Sequence, residues 1–127
     1  MAGIRNRNTK PELIVRSYLH RAGLRFTLHN KKLLGKPDLV LRRWRAVIFV
    51  NGCFWHRHRG CNFAYTPKTN ARFWLKKLTD NVDRDQRTVR ELRHQGWRVF
   101  TVWECQANNR RLASLVRKLK QESLAND

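Results

Sequence analysis

The sequence predicts an α/β domain built as a mixed β-sheet between helices. Segments 38–41 and 46–50 are apolar after the opening Asp38, as expected for strands covered on both faces, and 97–103 is another buried-type strand that carries Arg98 and Thr101 among its apolar residues. Segments 10–22, 70–95 and the run through Leu112, Leu115, Val116 and Leu119 carry apolar residues at helical spacing. Together with a short strand at 25–28 they give the order α-β-β-β-α-β-α, which interleaves the two kinds of element. A chain of 127 residues is long enough for one ordinary core and too short for two.

Each element has a local reason. Residues 1–8 are basic and polar and read as an arm without fixed structure, leaving 9–127 as a single domain. Thr9-Lys10-Pro11-Glu12 reads as a capping box: a Thr N-cap, Pro in the first turn and Glu three residues on. Leu13, Ile14, Tyr18 and Leu19 give that helix an apolar face, and Gly23 stops it. A basic loop at 31–36 leads into Gly35-Lys36-Pro37-Asp38, which opens the next strand. A turn at 42–45 then makes a hairpin centred on Trp44, with Asp38 roughly opposite Val50. The pattern over 70–95 predicts two helices or one bent one, with Phe73, Trp74 and Leu78 in its first half and Val82, Val89 and Leu92 in its second. Gly96 suits the position after its last turn. The strand at 97–103 delivers Glu104 and Cys105 at its end, and a basic helix closes the chain. Trp74 and Trp103 read as core, and His20, His29 and His94 as surface.

Lys and Arg number 28 against 9 acidic residues, a net charge of +19. Such an excess is the electrostatic footprint of a polyanion binder, with nucleic acid as the first candidate. An anionic membrane surface is the second and weaker candidate, because no apolar run approaches 18 residues and the basic segments do not form one amphipathic helix. The polar, basic start lacks the apolar region of a signal peptide, so a cytoplasmic location is expected.

The chemistry concentrates in Asn51-Gly-Cys-Phe-Trp-His-Arg-His-Arg-Gly-Cys61. Cys53, His58 and Cys61 have the types and short spacing of a zinc knuckle, and Cys105 is the only remaining cysteine. A Cys3His set is a closed tetrahedral arrangement that zinc favours in structural roles. Phe54, Trp55 and His56 lie between the ligands and are not needed by the metal. A clamped loop would present them to something. Spacing alone leaves open a swap in which His56 is the ligand and His58 the other histidine.

Carboxylates are scarce, which narrows the catalytic candidates. A phosphodiesterase commonly uses a carboxylate-held Mg²⁺ and a base that activates water. Asp38 is the best ligand, because it opens a buried-type strand where an unpaired charge would be costly. Glu12 can reach the same place from the first helical turn, although the capping box also accounts for it. His56 suits general acid or base work near neutral pH. Asp80, Asp83 and Asp85 lie among arginines and read as a solvated helix face.

Asn8-Thr-Lys-Pro-Glu12, Gly35-Lys-Pro-Asp38, Asn51-Gly-Cys-Phe-Trp-His56, Asn81-Val-Asp-Arg-Asp85 and Gly96-Trp-Arg-Val-Phe-Thr-Val-Trp-Glu-Cys105, in this order, resemble the very-short-patch repair (Vsr) endonucleases. The resemblance spans almost the whole chain. It implies a restriction-endonuclease-like fold and an enzyme that nicks duplex DNA 5′ of the T in a T:G mismatch, the lesion left by deaminated 5-methylcytosine. It further implies that Asp38 and the Val50 carbonyl hold Mg²⁺, that His56 activates water, and that Glu12 supports the site. Cys53, His58, Cys61 and Cys105 become structural zinc ligands. Phe54 and Trp55 become aromatic wedges into DNA, Met1 a third wedge from the opposite groove, and Asn81 a helix residue near the site. Asn51 stands where family members carry His or Asp, so a neutral amide replaces a group able to bind metal-bound water. The His58–Cys61 gap is one residue longer than in the best-known member. A monomer suits a nickase, and repair proteins are candidate partners. Two other readings stay open on the same residues: a zinc-stabilised DNA-binding module with weak or lost catalysis, and a less specific nuclease of the same fold.

Overall fold

A computed structural model describes residues 9–52 and 69–125 of the chain. The element order is α1 (Lys10–Arg21), β1 (Thr27–Leu28), β2 (Leu39–Leu41), β3 (Ala46–Asn51), α2 (Ala71–His94), β4 (Arg98–Trp103) and α3 (Asn109–Ala125). The four strands form one sheet in sequence order. β1 and β2, and β2 and β3, pair antiparallel, whereas β3 and β4 run parallel. The architecture is thus mixed α/β, consistent with a restriction-endonuclease-like fold. The region predicted as two helices or a bent one is the single helix α2.

Strand alternation divides the core into two layers. Leu39, Leu41, Ala46, Ile48 and Val102 face α1 and α3 and pack with Val15, Leu19, Leu112, Leu115 and Leu119. Val40 and Val47 point the other way and pack with Leu92 of α2, flanked by Phe49, Trp97 and Val99. Covering both faces is what the unbroken apolar runs required. The turn Arg42–Trp44 is a single 3-10 turn closed by Arg45 in the left-handed region. Leu39 pairs with Ile48 and Val40 with Val47. The hairpin is therefore centred between Arg43 and Trp44, half a residue from the expected position.

Helix phase departs from the apolar pattern at α1. Its buried stripe is Glu12, Val15 and Leu19, whereas Leu13 is 48 % and Ile14 36 % exposed. Residues at 12, 15 and 19 share one helix face, so a carboxylate is carried inward with two aliphatic side chains. Both long-range helix ends are built alike. Gly23 and Leu24 donate to the carbonyls of His20 and Leu19, and Gly96 and Trp97 to those of Arg93 and Leu92. This is the Schellman pattern predicted by the glycines.

The tryptophans assigned to the core are only half-buried. Trp74 meets Phe73 edge-on with ring centres 5.5 Å apart, and Phe73 is 60 % exposed. Trp103 lies in the wall of an open groove rather than in either packed layer.

Candidate active site

The first turn of α1 and the mouths of β1 and β2 meet at one end of the sheet. Thr9 caps α1, its hydroxyl accepting the Glu12 N–H at 3.4 Å. The Glu12 side chain, which a capping box would turn back along the helix, points inward and is 1 % exposed. Its Oε2 accepts from Arg16 Nη2 at 2.7 Å, one helical turn on. Its Oε1 lies 2.9 Å from His29 Nε2. His29 follows β1 and its N–H donates to the Asp38 carbonyl at 3.1 Å. Asp38 in turn accepts the Val50 N–H through Oδ2 at 2.7 Å. The side chain of Asp38 thus reaches Val50 as expected, despite the shifted hairpin centre.

Glu12, His29 and Asp38 each place a ligand atom within 4.8 Å of the other two. Burial raises the Asp38 carboxyl to about 7; the Val50 N–H opposes this, the Glu12 carboxyl beside it raises it further by a shared hydrogen bond and by charge, and Arg16 pulls it down. Two desolvated carboxylates facing each other favour either a shared proton or a bound cation. Hard oxygen donors with one imidazole are a suitable set for a divalent ion.

Asp38, His29, Val50 and Asn51 open into a groove of about 1660 Å³ between the sheet end and α2. Its other walls include Lys31, Lys36, Arg84, Arg90 and Arg93. Cations on both banks of a carboxylate-floored groove suit a phosphate backbone led across a metal site. Asn51 ends β3 opposite Trp103, so its amide faces the same groove. Asn81 lies outside that wall; its Oδ1 accepts from Arg84 Nη2 at 3.2 Å, one turn along α2.

Cys105 is exposed in the 3-10 turn Glu104–Gln106 that follows β4. Cys53, His58, Cys61, Phe54, Trp55, His56 and Met1, and the 1–8 arm, lie outside the described residues. Two histidines read as surface line the groove: His29 at the centre of the cluster and the exposed His94 at its rim. Asp85, read as part of a solvated face, is half-buried in the same wall. Sequence reasoning missed His29 because its neighbour is set by strand register. Thr27 pairs with Val40 and Leu28 with Leu39, which brings His29 level with Asp38. The available signal was its place just after a short strand in a chain with so few acidic groups.

A mixed sheet that brings two carboxylates to one strand end inside a basic groove defines a class: hydrolases of nucleic-acid phosphodiesters. Comparison with known proteins makes this specific. The family model for DNA mismatch endonuclease Vsr matches residues 1–62. The type II nicking enzyme V.NmeAIP of Neisseria meningitidis is 42 % identical over 94 % of this chain and 89 % of its own length. The type II nicking enzyme V.XorIIP of Xanthomonas oryzae pv. oryzae is 47 % identical over 86 % of this chain and 79 % of its own. The DNA mismatch endonuclease Vsr of Escherichia coli is 43 % identical over 87 % and 70 %. The chain belongs to the DNA mismatch endonuclease Vsr family and is a DNA endonuclease.

Proposed function

We propose that this protein nicks duplex DNA on the 5′ side of the T in a T:G mismatch and so begins very-short-patch repair of deaminated 5-methylcytosine. The observation that carries the reading is the Glu12–Asp38 pair at the sheet end, the first buried and the second half-buried where it faces a groove walled by lysine and arginine. Mg²⁺ held by Asp38 and the Val50 carbonyl would neutralise charge on the scissile phosphate and polarise the attacking water. Glu12 keeps the floor of the site anionic. His56, five residues beyond the end of β3, takes the proton from water. Asn51 supplies an uncharged hydrogen-bonding group at the groove edge. Lys31, Lys36, Arg84 and Arg90 guide the backbone without reading sequence. Asn81 orients Arg84 toward the groove and so bears on DNA through it.

Cys53, His58, Cys61 and Cys105 bind a structural Zn²⁺ in this reading. The parallel register supports it, because Asn51 pairs with Trp103 and Glu104 Oε1 lies 4.0 Å from where a Cβ on Gly52 would stand. β3 and β4 therefore leave the sheet at the same end, β3 just before Cys53 in sequence and β4 just before Cys105. The pinned loop holds Phe54 and Trp55 against the mismatch, with Met1 entering from the opposite groove. Wedging is cheapest where pairing is already poor, which selects the lesion. The protein works as a monomer in a bacterial cytoplasm and hands the nick to repair proteins. No helix among the described residues is long and apolar enough to cross a membrane.

One assay tests this. The protein is incubated with Mg²⁺ and matched, T:G and other mismatched duplexes, and nicks are mapped on each strand. A nick confined to the 5′ side of the mismatched T is expected. Cutting of every duplex would replace the proposal with a less specific nuclease. Binding without product under any divalent cation would replace it with a DNA-binding module, the reading that the neutral Asn51 keeps open.

A further inference from the structure

We propose that His29 is a positioning residue of the cation site: with Arg16 it clamps the buried Glu12 carboxylate in place beside Asp38. The inference rests on the reading of Glu12 and Asp38 as that site. It begins from a conflict at one atom. His29 Nε2 lies 2.9 Å from Glu12 Oε1 and 3.4 Å from Arg16 Nη2. One ring nitrogen cannot donate to the first and accept from the second at once. Arg16 has only hydrogens to offer and already donates to Glu12 Oε2 at 2.7 Å. The shorter contact therefore decides: Nε2 carries the proton and donates to Glu12. The 3.4 Å separation is then the third side of a triangle in which two donors converge on one carboxylate, one on each oxygen.

The two arms come from different elements, Arg16 from α1 and His29 from the end of β1. His29 also donates its backbone N–H to the Asp38 carbonyl. A single residue thus fixes the backbone of one acid and the side chain of the other. Its φ of +48° is a conformation that L-residues seldom adopt. Such a backbone persists where surrounding bonds over-determine it, and it clusters at functional sites. A carboxylate held at both oxygens does not swing toward an arriving cation, so it serves the site by fixed charge and by aligning Asp38.

The test uses His29→Ala, His29→Met and His29→Gln in the full-length protein. Methionine fills the space without donating, and the glutamine amide can donate to the same carboxylate oxygen. Readouts are Mn²⁺ affinity of the DNA-free protein by water-proton relaxation, the Mg²⁺ dependence of nicking, and DNA affinity in magnesium-free buffer. Alanine and methionine should each weaken Mn²⁺ binding and raise the Mg²⁺ requirement by about 10-fold, the scale on which hydrogen-bonding partners outside the ligand shell act on a metal site. DNA affinity should stay unchanged, and glutamine should restore most of both losses. Unchanged Mn²⁺ affinity in both non-donating variants, with nicking still abolished by Asp38→Asn, would overturn the clamp alone. Glutamine as poor as alanine would also overturn it, because the imidazole itself would then be required. Full nicking by Asp38→Asn would sink the site on which the clamp rests.

Discussion

Asp38 carries a carboxylate that burial and Glu12 together push toward neutrality, and its pH behaviour follows from the sign of that shift. The folded value is about 7, against an ordinary value near 3.8. The folded protein therefore holds this proton more tightly than the unfolded chain does. Stability from this group is full below about pH 4, declines as pH rises toward 7, and is level above. Thermal melts in magnesium-free buffer should show that decline, and saturating Mg²⁺ should flatten it. Asp38→Asn removes the like-charge conflict and keeps an oxygen to accept the Val50 N–H. It should abolish nicking, leave DNA binding intact, and raise the magnesium-free melting temperature at pH 8. A variant that melts lower than wild type there, or still nicks, would contradict the assignment. At this scale Asp38 and Glu12 were legible as scarce acids near strand and helix starts. The orientation of Glu12 was not, because capping and burial demand the same residue at the same position.

Two glycines tie elements together for different reasons. Gly35 has φ +75°, and a Cβ there would stand 2.3 Å from Thr88 Cγ2 on α2 and 3.3 Å from the Phe49 ring. The 31–36 loop lies against α2 only because nothing projects at that point. Gly35→Ala combines the left-handed cost, about 1–2 kcal/mol, with displacement of α2. It should lower the melting temperature and weaken nicking together, since α2 forms a wall of the groove. Gly96 has φ +93° but open surroundings, the nearest atom being Arg45 Nη2 at 3.4 Å. Gly96→Ala should therefore cost only the conformational part, about 1–2 kcal/mol, with specific activity of the folded fraction retained. A larger loss from Gly96→Ala than from Gly35→Ala in denaturant titrations would overturn this ordering. Gly96 was legible as a helix stop, whereas the role of Gly35 depends on a helix 53 residues further along the chain. Arg98 shows the same limit. Its guanidinium donates to the Trp44 carbonyl at 2.6 Å and the Leu119 carbonyl at 3.2 Å, joining the hairpin turn to α3. Arg98→Met should cost about 1.5–3 kcal/mol for lost charged hydrogen bonds. An unchanged denaturation midpoint would show those bonds to be incidental.

Across the whole molecule the net charge of +19 acts as a long-range field. Affinity for fully paired DNA should fall linearly with salt on logarithmic axes, with a slope of about −0.9 for each phosphate contacted. Neutralising Arg84 and Arg90 together should make that slope shallower by about two on paired and T:G duplexes alike. A loss confined to T:G would mean that these arginines read the lesion instead of the backbone. The proposed Zn²⁺ site belongs to this scale as well. Cys105→Ser should lower the melting temperature, because structural metal binding is part of the folding free energy. An unaltered transition would remove Cys105 from the ligand set.

The sequence alone determined the element order, the two-sided burial of the sheet and the family. Each follows from information local in the chain: apolar period, caps, glycine stops and short motifs. Tertiary structure decided which face of α1 turns inward, which histidine meets the acids and which bank of α2 borders the groove. Those depend on strand register and on helix rotation about its axis, and both are fixed only when distant side chains compete for the same space.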